Sequence, residues 1–427
     1  MRLSEFFQNR TLINAGYLIA GKIVQMLFGI AVSILTTRYL GPANYGLISY
    51  ATAYTAFFTS LCTLGINSVL VKELVDHPDE EGTVLGTALF LRAVSSFCSA
   101  IAIICISSII DKQEPGTILV VAVSCIGMVF HIFEIFNYWF QRRLESKITA
   151  RATFIAYVIS LLYKVYLLIS GKSVLYFALV SSIDYLSLGI ILLYEYKRCG
   201  GQQLAFSWKY GKQLLCRSCH FILTGLMVSI YNQTDKLMLK HMIGETEIGY
   251  YATAVTLCSM WCFILSAVID SMYPTIMEAA KKNNEKEFKK RNIQLYAIVF
   301  YMSVAVSLVI TVLAKPIVYI LYGEQYLPTV SSLRIVTWYT AFSYLGVARN
   351  AWIVAKNRQK FLLPIYIISA ATNIILNYLL IPFYGAPGAA FASFVTQVAT
   401  ILVVPFFIRD IKENSILMLD AIMLKFY

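Results

Sequence analysis

The chain has 427 residues, of which 59% are hydrophobic and only 14% charged, with a formal net charge of +12. Soluble domains carry about 25% charged residues, so this composition leaves too little polar surface to cover a water-facing globule and excludes a soluble enzyme. Lipid resolves the mismatch. At about 20 apolar residues per spanning helix, the length admits roughly a dozen spans.

The apolar stretches, in chain order, are 14–36, 46–70, 84–109, 117–140, 151–169, 174–194, 217–241, 249–273, 293–314, 330–355, 361–381 and 388–408. Backbone polar groups cannot face hydrocarbon unpaired, so each is read as a helix. The expected fold is all-α and integral to the membrane, with about 12 transmembrane helices. The alternating polarity of membrane barrel strands is absent. Arg2 and Arg10 precede the first stretch, which outruns the 7–15 residues of a signal-peptide core and is read as a permanent span.

Charges inside these spans carry the functional reading. A charge at the bilayer centre costs at least about 2.5–3.5 kcal/mol, so such residues usually line cavities. Span 1 carries Lys22 and Gln25 on one face, and span 3 carries Arg92. In span 4, His131, Glu134 and Tyr138 follow one helical face at i, i+3 and i+7, and so do Ser229, Asn232 and Lys236 in span 7. Lys22, Arg92 and Lys236 are expected to hold an anionic group, with Gln25, Asn232 and Tyr138 offering hydrogen bonds. Lys164, Arg334 and Arg349 complete the candidate substrate-binding set. They lie nearer helix ends, and snorkelling to the interface is their alternative. Glu134, Asp184 and Asp235 are the candidate ion-coupling residues. For Asp235 the alternative is an ion pair with its neighbour Lys236. Asp270, near the end of span 8, reads as structural. Six intramembrane cations against four acids favour an anionic cargo over a cationic drug.

Orientation follows from the Lys/Arg bias. With a cytoplasmic N-terminus, and the span-end residues Arg151, Arg217 and Lys240 counted with their loops, 24 Lys and Arg fall on cytoplasmic segments and 5 on outside ones. The split places both termini and the loops 141–150, 195–216 and 278–292 in the cytoplasm. It also accounts for the net charge without nucleic acid. The nine cysteines are scattered through apolar runs and imply no disulfide framework.

Leu40-Gly41-Pro42-Ala43-Asn44-Tyr45-Gly46, between spans 1 and 2, is echoed 203 residues later by Ile243-Gly244-Glu245-Thr246-Glu247-Ile248-Gly249, between spans 7 and 8. Six spans per half give the halves one orientation, related by an axis along the membrane normal. The expected division is a first lobe, 1–194, a cytoplasmic linker, 195–216, a second lobe, 217–408, and a tail, 409–427. The tail mixes charged and apolar residues in the manner of a surface-lying amphipathic helix.

Two short motifs are set aside. Cys216-Arg217-Ser218-Cys219-His220 has the haem-attachment spacing but sits on the cytoplasmic side. Gly171-Lys172-Ser173 lacks the first glycine of a P-loop, because Tyr166 stands there. No cofactor is expected.

An ordered set of stretches resembles the Wzx-type polysaccharide-unit flippases. It comprises Arg38-Tyr39-Leu40-Gly41-Pro42-Ala43-Asn44-Tyr45-Gly46, Leu64-Gly65-Ile66-Asn67, Asn232-Gln233-Thr234-Asp235-Lys236, Gly249-Tyr250-Tyr251-Ala252, Tyr273-Pro274 and Tyr384-Gly385-Ala386-Pro387-Gly388-Ala389-Ala390. The resemblance implies the multidrug/oligosaccharidyl-lipid/polysaccharide exporter superfamily, with two six-helix lobes forming a V around a central cavity. It implies a bacterial cytoplasmic (inner) membrane protein that moves an undecaprenyl-pyrophosphate-linked glycan to the outer leaflet by alternating access. The partners it implies are that lipid-linked glycan, the bilayer, a coupling ion (H⁺ or Na⁺) and the polysaccharide polymerase machinery. The rival readings are a drug/cation antiporter of the same superfamily and a membrane polysaccharide polymerase. The latter needs a catalytic loop outside, and the longest outside loop, about 315–329, leaves it little room.

Overall fold

The computed structural model describes residues 10–425, with side chains from residue 28 onward. Fifteen α-helices follow one another, joined by short turns. They are α1 (Arg10–Thr63), α2 (Asn67–Asp76), α3 (Glu81–Ile110), α4 (Pro115–Phe130), α5 (Phe136–Arg142), α6 (Ser146–Ile169), α7 (Val174–Ala178) and α8 (Val180–Arg198). The second half holds α9 (Trp208–Met242), α10 (Glu245–Lys281), α11 (Glu285–Tyr322), α12 (Thr329–Ala355), α13 (Leu362–Val398), α14 (Val404–Phe406) and α15 (Lys412–Ile422).

Nine helical segments among the described residues are long and apolar enough to cross a membrane. Two of these reverse direction at a glycine and therefore hold two of the expected spans each. In α1 the break is Gly41, at φ 72°. Ser33 and Thr36 before it and Thr52 and Thr55 after it face one cavity, so the two limbs stand side by side. In α13 the break is Gly385, at φ 57°, and Asn373 reaches Ser393 across it at 3.5 Å. Both breaks need a backbone that a side chain would oppose. Thr329–Ala355, which carries Arg334 and Arg349, completes the series.

The repeated motifs meet each other. A Cβ on Gly46 would lie 1.9 Å from the Glu245 carbonyl oxygen, and one on Gly249 would lie 2.0 Å from the Pro42 carbonyl oxygen. Pro42 and Glu245 are themselves 203 residues apart, so the contact is reciprocal, as at a two-fold axis. The flanking contacts reciprocate too. The turn after α11 grips the end of span 1: Tyr326 donates to the Thr37 carbonyl at 2.7 Å and Gln325 to that of Arg38 at 3.0 Å. The turn after α3 grips the end of span 7: Lys240 donates to Glu114 at 2.5 Å, and Tyr50 joins Asp111 at 3.0 Å to His241 at 3.0 Å. In that turn the Lys240 ammonium holds the Glu114 carboxyl below its ordinary range, whereas burial pushes Asp111 above it.

The apolar core follows the same division. At the seam, one cluster unites both halves: Tyr54 and Val121 pack with Ile248, Ala254, Val318 and Ala389. At the opposite end there are two separate clusters. One joins Leu70, Leu85, Trp139 and Tyr196 in the first half. The other joins Ile276, Tyr296, Trp352 and Met418 in the second. Each has its own ion pairs, Arg142 to Glu81 at 2.5 Å in one and Arg358 to Asp410 at 2.8 Å in the other. No ion pair joins the two clusters among the described residues.

Two boundaries differ from the sequence reading. The stretch read as a linker is helical from Trp208, and Tyr210 and Leu214 enter the first half's core. Arg217 bonds to Glu73 there. Helix α9 thus starts on the first half and ends on the second. The tail does not lie apart as a surface helix. Asn414, Ser415, Leu417 and Met418 of α15 are buried, and Asn414 donates to the Tyr296 hydroxyl at 2.5 Å.

Gly46→Ala and Gly249→Ala each force a methyl into a backbone carbonyl. Overpacking of this kind typically costs about 1–3 kcal/mol. Each variant should have a lower melting temperature. In cysteine-free protein carrying Thr52→Cys, each should also raise labelling by an impermeant maleimide added from the seam side. Unchanged stability and labelling would show that the seam tolerates the methyl.

Candidate functional site

In the first half a cavity of about 360 Å³ opens between both limbs of α1, α4, α6 and the α7–α8 pair. Its wall is a lattice of hydroxyls, among them Ser33, Thr36, Thr52, Thr55, Ser124 and Ser181. Ser and Thr suit such a wall because they bond back to their own helix, as Thr52 does to Ile48 at 2.8 Å and Ser124 to Val120 at 2.9 Å. Their remaining lone pairs face inward. Thr36 Oγ1 is buried without a hydrogen-bond partner. Lys164 reaches the cavity from α6, and His131 closes one end. Asp184 attracts Lys164 electrostatically without coming to ion-pair distance.

Beneath His131 the helix changes form. Span 4 is not a regular helix through His131, Glu134 and Tyr138 as its spacing suggested, because His131–Ile135 is a 3-10 turn. Arg92 braces this turn. It donates to the His131 carbonyl at 3.1 Å and to Asn67 Oδ1 at 3.3 Å, and it lies 3.8 Å from the Glu134 carboxylate. His131 Nε2 sits 2.9 Å from the same carboxylate. Arg92 is 1% exposed. Burial and these protein partners thus surround the guanidinium at which an anionic group was expected.

Arg349 has an analogous place. Its expected alternative was snorkelling, but it is 1% exposed and donates to the Thr400 carbonyl at 3.4 Å. Thr400 lies in a π-helical stretch, Ala399–Val403, where the regular bonding ladder is broken. Both buried arginines thus bond an irregular helix backbone. Arg334 is exposed near the start of α12 and donates to the Thr311 carbonyl at 3.2 Å.

In the second half Asp235 is buried, and the proposed pairing with Lys236 does not form. The carboxylate instead accepts from the Tyr251 hydroxyl at 2.5 Å, the Ser393 hydroxyl at 2.5 Å and Asn377 Nδ2 at 2.6 Å. Asn377 is bonded in turn to Asn373 at 3.0 Å. Successive residues on a helix point about 100° apart, so Asp235 faces α13 while Lys236 turns away. Lys236 is half-buried, with Gln233 Oε1 at 3.4 Å. Asn232 is exposed on the same helix. The side chains of Lys22 and Gln25 lie outside the described residues. Tyr251, Asn377 and Ser393 were missed in the sequence. Two asparagines four apart in an apolar span were the legible sign.

A sequence family described as "Polysaccharide biosynthesis protein" matches residues 11–280, and one described as MatE matches 221–379. The chain belongs to the polysaccharide biosynthesis protein family. The chain is 20% identical to the capsular polysaccharide biosynthesis protein CapF of Staphylococcus aureus, over 93% of this chain and 99% of that one. It is 22% identical to the lipid II flippase MurJ of Bacillus subtilis, over 44% of this chain and 37% of that one. Among solved structures, an inward-facing multidrug resistance MATE transporter of the MOP superfamily matches at TM-score 0.71 and 14% identity, covering 92% of this chain and 95% of that one. An inward closed MurJ matches at 0.68 and 14% identity, covering 96% and 91%. An outward-facing MATE transporter matches at 0.54 and 14% identity, covering 93% of each. This family member is a multi-pass membrane protein with the fold of the MATE and MurJ transporters.

Arg92→Ala removes the side-chain donor to the His131 carbonyl and to Asn67 Oδ1, a loss of about 1–3 kcal/mol. It should lower the melting temperature of the purified transporter, with Arg92→Lys intermediate. Lys164→Ala frees a cavity wall and should melt close to wild type. Equal melting of all three variants would remove the bracing role of Arg92.

Proposed function

We propose that this chain flips an undecaprenyl-pyrophosphate-linked oligosaccharide from the inner to the outer leaflet by alternating access. The observation that carries the reading is the division of the apolar core: shared at one end, split at the other. Such a pair of halves can hinge about the seam. The Lys/Arg bias assigns the split end to the cytoplasm, so the arrangement corresponds to a state open inward. Residues 1–194 and 217–408 act as the two lobes, with α9 crossing between them. Outward opening must break the reciprocal contacts of the seam.

The cargo is anionic at its pyrophosphate and hydroxyl-rich at its glycan. Lys22, Lys164 and Lys236 supply cations at membrane depth, and the hydroxyl-lined cavity offers a match for sugar. Arg92 and Arg349 serve the cycle by fixing helix geometry. The polysaccharide polymerase machinery would consume the flipped unit. The similarity to CapF over nearly the whole chain supports a polysaccharide precursor. The test is a fluorescent lipid-linked oligosaccharide in inverted vesicles, where Lys164→Ala should slow flipping at least tenfold. Retained flipping in that variant would remove Lys164 from the site.

Asp235 is the proposed coupling residue. Its hydroxyl and amide donors are neutral, so binding Na⁺ or H⁺ changes the site's charge without leaving another charge unpaired. Glu134 and Asp184 stand second, since each already lies near a cation. Asp235→Asn should abolish gradient-driven flipping while leaving cargo binding intact. Gradient-driven transport at the wild-type rate would end this assignment.

One observation also favours a cation antiporter: a buried carboxylate facing neutral donors suits a cationic ligand as well as a coupling ion. Drug export that exceeds glycolipid flipping in the same vesicles would favour that reading. Orientation is separately testable. An introduced cysteine in 278–292 should resist an impermeant reagent in intact cells, and labelling there would invert the topology.

A further inference from the structure

A second cavity, of about 530 Å³, lies at the split end, outside the transport path described above. One wall is the first two turns of α11, where Lys286, Lys289, Lys290 and Ile293 recur at helical spacing. The other is α15, with Glu413, Ile416, Leu417 and Asp420 in the same rhythm, and Arg409 and Lys412 stand at its entrance. The walls are fixed to each other. Lys289 pairs with Glu413 at 2.8 Å, and Tyr301 donates to the Ile422 carbonyl at 2.6 Å.

Five cations meet two acids here. Glu413 is matched by Lys289, and Asp420 is recessed, only 9% exposed. Lys286, Lys290, Arg409 and Lys412 make no ion pair among the described residues. Several other cations at this end are paired: Arg142 and Arg143 with Glu81, Lys356 with Glu285, Arg358 with Asp410. What sets the groove apart is that four unpaired cations line one cavity. Beside it lies exposed apolar surface. Phe407 is 81% exposed, Ile416 and Met423 are exposed, and Lys412 Nζ stands over the Phe406 ring at 4.6 Å. Cations poised above apolar side chains are the arrangement found at headgroup level. Basic pockets on membrane helices suit phosphate headgroups, and compact ammonium groups suit a phosphate oxygen.

We propose that this groove binds an anionic phospholipid, its phosphodiester between Lys286, Lys290, Arg409 and Lys412 and its acyl chains along Phe406, Phe407 and Ile416. A free phosphate would use the cations and leave the apolar flank uncovered, so a lipid fits both features. Occupancy would tie α15 to α11 and so stiffen the second half's base.

The full chain, purified in detergent, is titrated with phosphatidylglycerol while the melting temperature is followed. Phosphatidylcholine, glycerophosphoglycerol and inorganic phosphate serve as the other arms. Phosphatidylglycerol should stabilise the wild type, and the other three should not at equal concentration. Each cation changed to glutamine should weaken the effect about fivefold, the factor equivalent to about 1 kcal/mol per cation near an anionic surface. The variants are Lys286→Gln with Lys290→Gln, Arg409→Gln with Lys412→Gln, and all four together. The two pairs are read on their own if the fourfold variant is unstable in phosphatidylcholine. A control carries Lys72→Gln, Lys147→Gln, Lys197→Gln and Lys209→Gln, all exposed and without ion pairs in the first half, and it should respond as wild type does. Wild-type stabilisation in both pair variants overturns the proposal. So does an equal response to glycerophosphoglycerol or phosphate, or an equal loss in the control.

Discussion

Two peptide carbonyls, those of Pro42 and Glu245, sit where the Cβ atoms of Gly249 and Gly46 would be. This close approach sets the relation between the halves. Only glycine lets backbone meet backbone at such a distance, and the apolar cluster that unites the halves packs around the contact. Its reinforcement comes from individually modest hydrogen bonds, such as Tyr326 to Thr37 and Tyr50 to Asp111. A net worth of about 0.5–1.5 kcal/mol each places their sum within the few kcal/mol that separate two populated conformations.

Irregular helix backbone accompanies both buried arginines, Arg92 and Arg349. The 3-10 turn His131–Ile135 presents its first carbonyl to Arg92, and the π-helical Ala399–Val403 presents that of Thr400 to Arg349. Regular helices keep their carbonyls for themselves, and a guanidinium in a packed bundle then finds few acceptors. The irregularity and the arginine suit each other: one exposes a carbonyl, the other supplies a donor. This explains how two arginines at 1% exposure persist in spans otherwise made for lipid.

The spans, the repeat and the breaks at Gly41 and Gly385 were legible because hydrophobic length and glycine punctuation are local properties. The fate of individual charges was not. Span 4 reads as a clean i, i+3, i+7 face, and no residue in it signals a 3-10 turn. Arg349 lies six residues from the end of its helix, close enough to suggest snorkelling, yet its surroundings are set by a π-helical stretch fifty residues on. Asp235 beside Lys236 invites a pairing that the 100° helical step forbids. The tail illustrates the same limit. Its mixture of charged and apolar residues suits a surface helix, but the buried Asn414 finds Tyr296, a partner no pattern within the tail could reveal.

The two halves share a backbone plan but not its chemistry. Carried along the register fixed by Gly46 and Gly249, Ile48 corresponds to Tyr251, and Ser33 to Lys236. In the first half Ile48 and Ser33 border an open, hydroxyl-lined cavity of about 360 Å³. In the second, Tyr251 fills the matching region and bonds to Asp235, with Asn377 and Ser393 closing around the carboxylate. One half therefore keeps a polar void large enough for part of a ligand. The other keeps a compact acidic knot sized for an ion. An ancestral repeat with identical halves would have to place cargo and driver in the same kind of site, competing for it. On the function proposed above, divergence at positions that face the same direction separates cargo from coupling ion while leaving the shared seam unchanged.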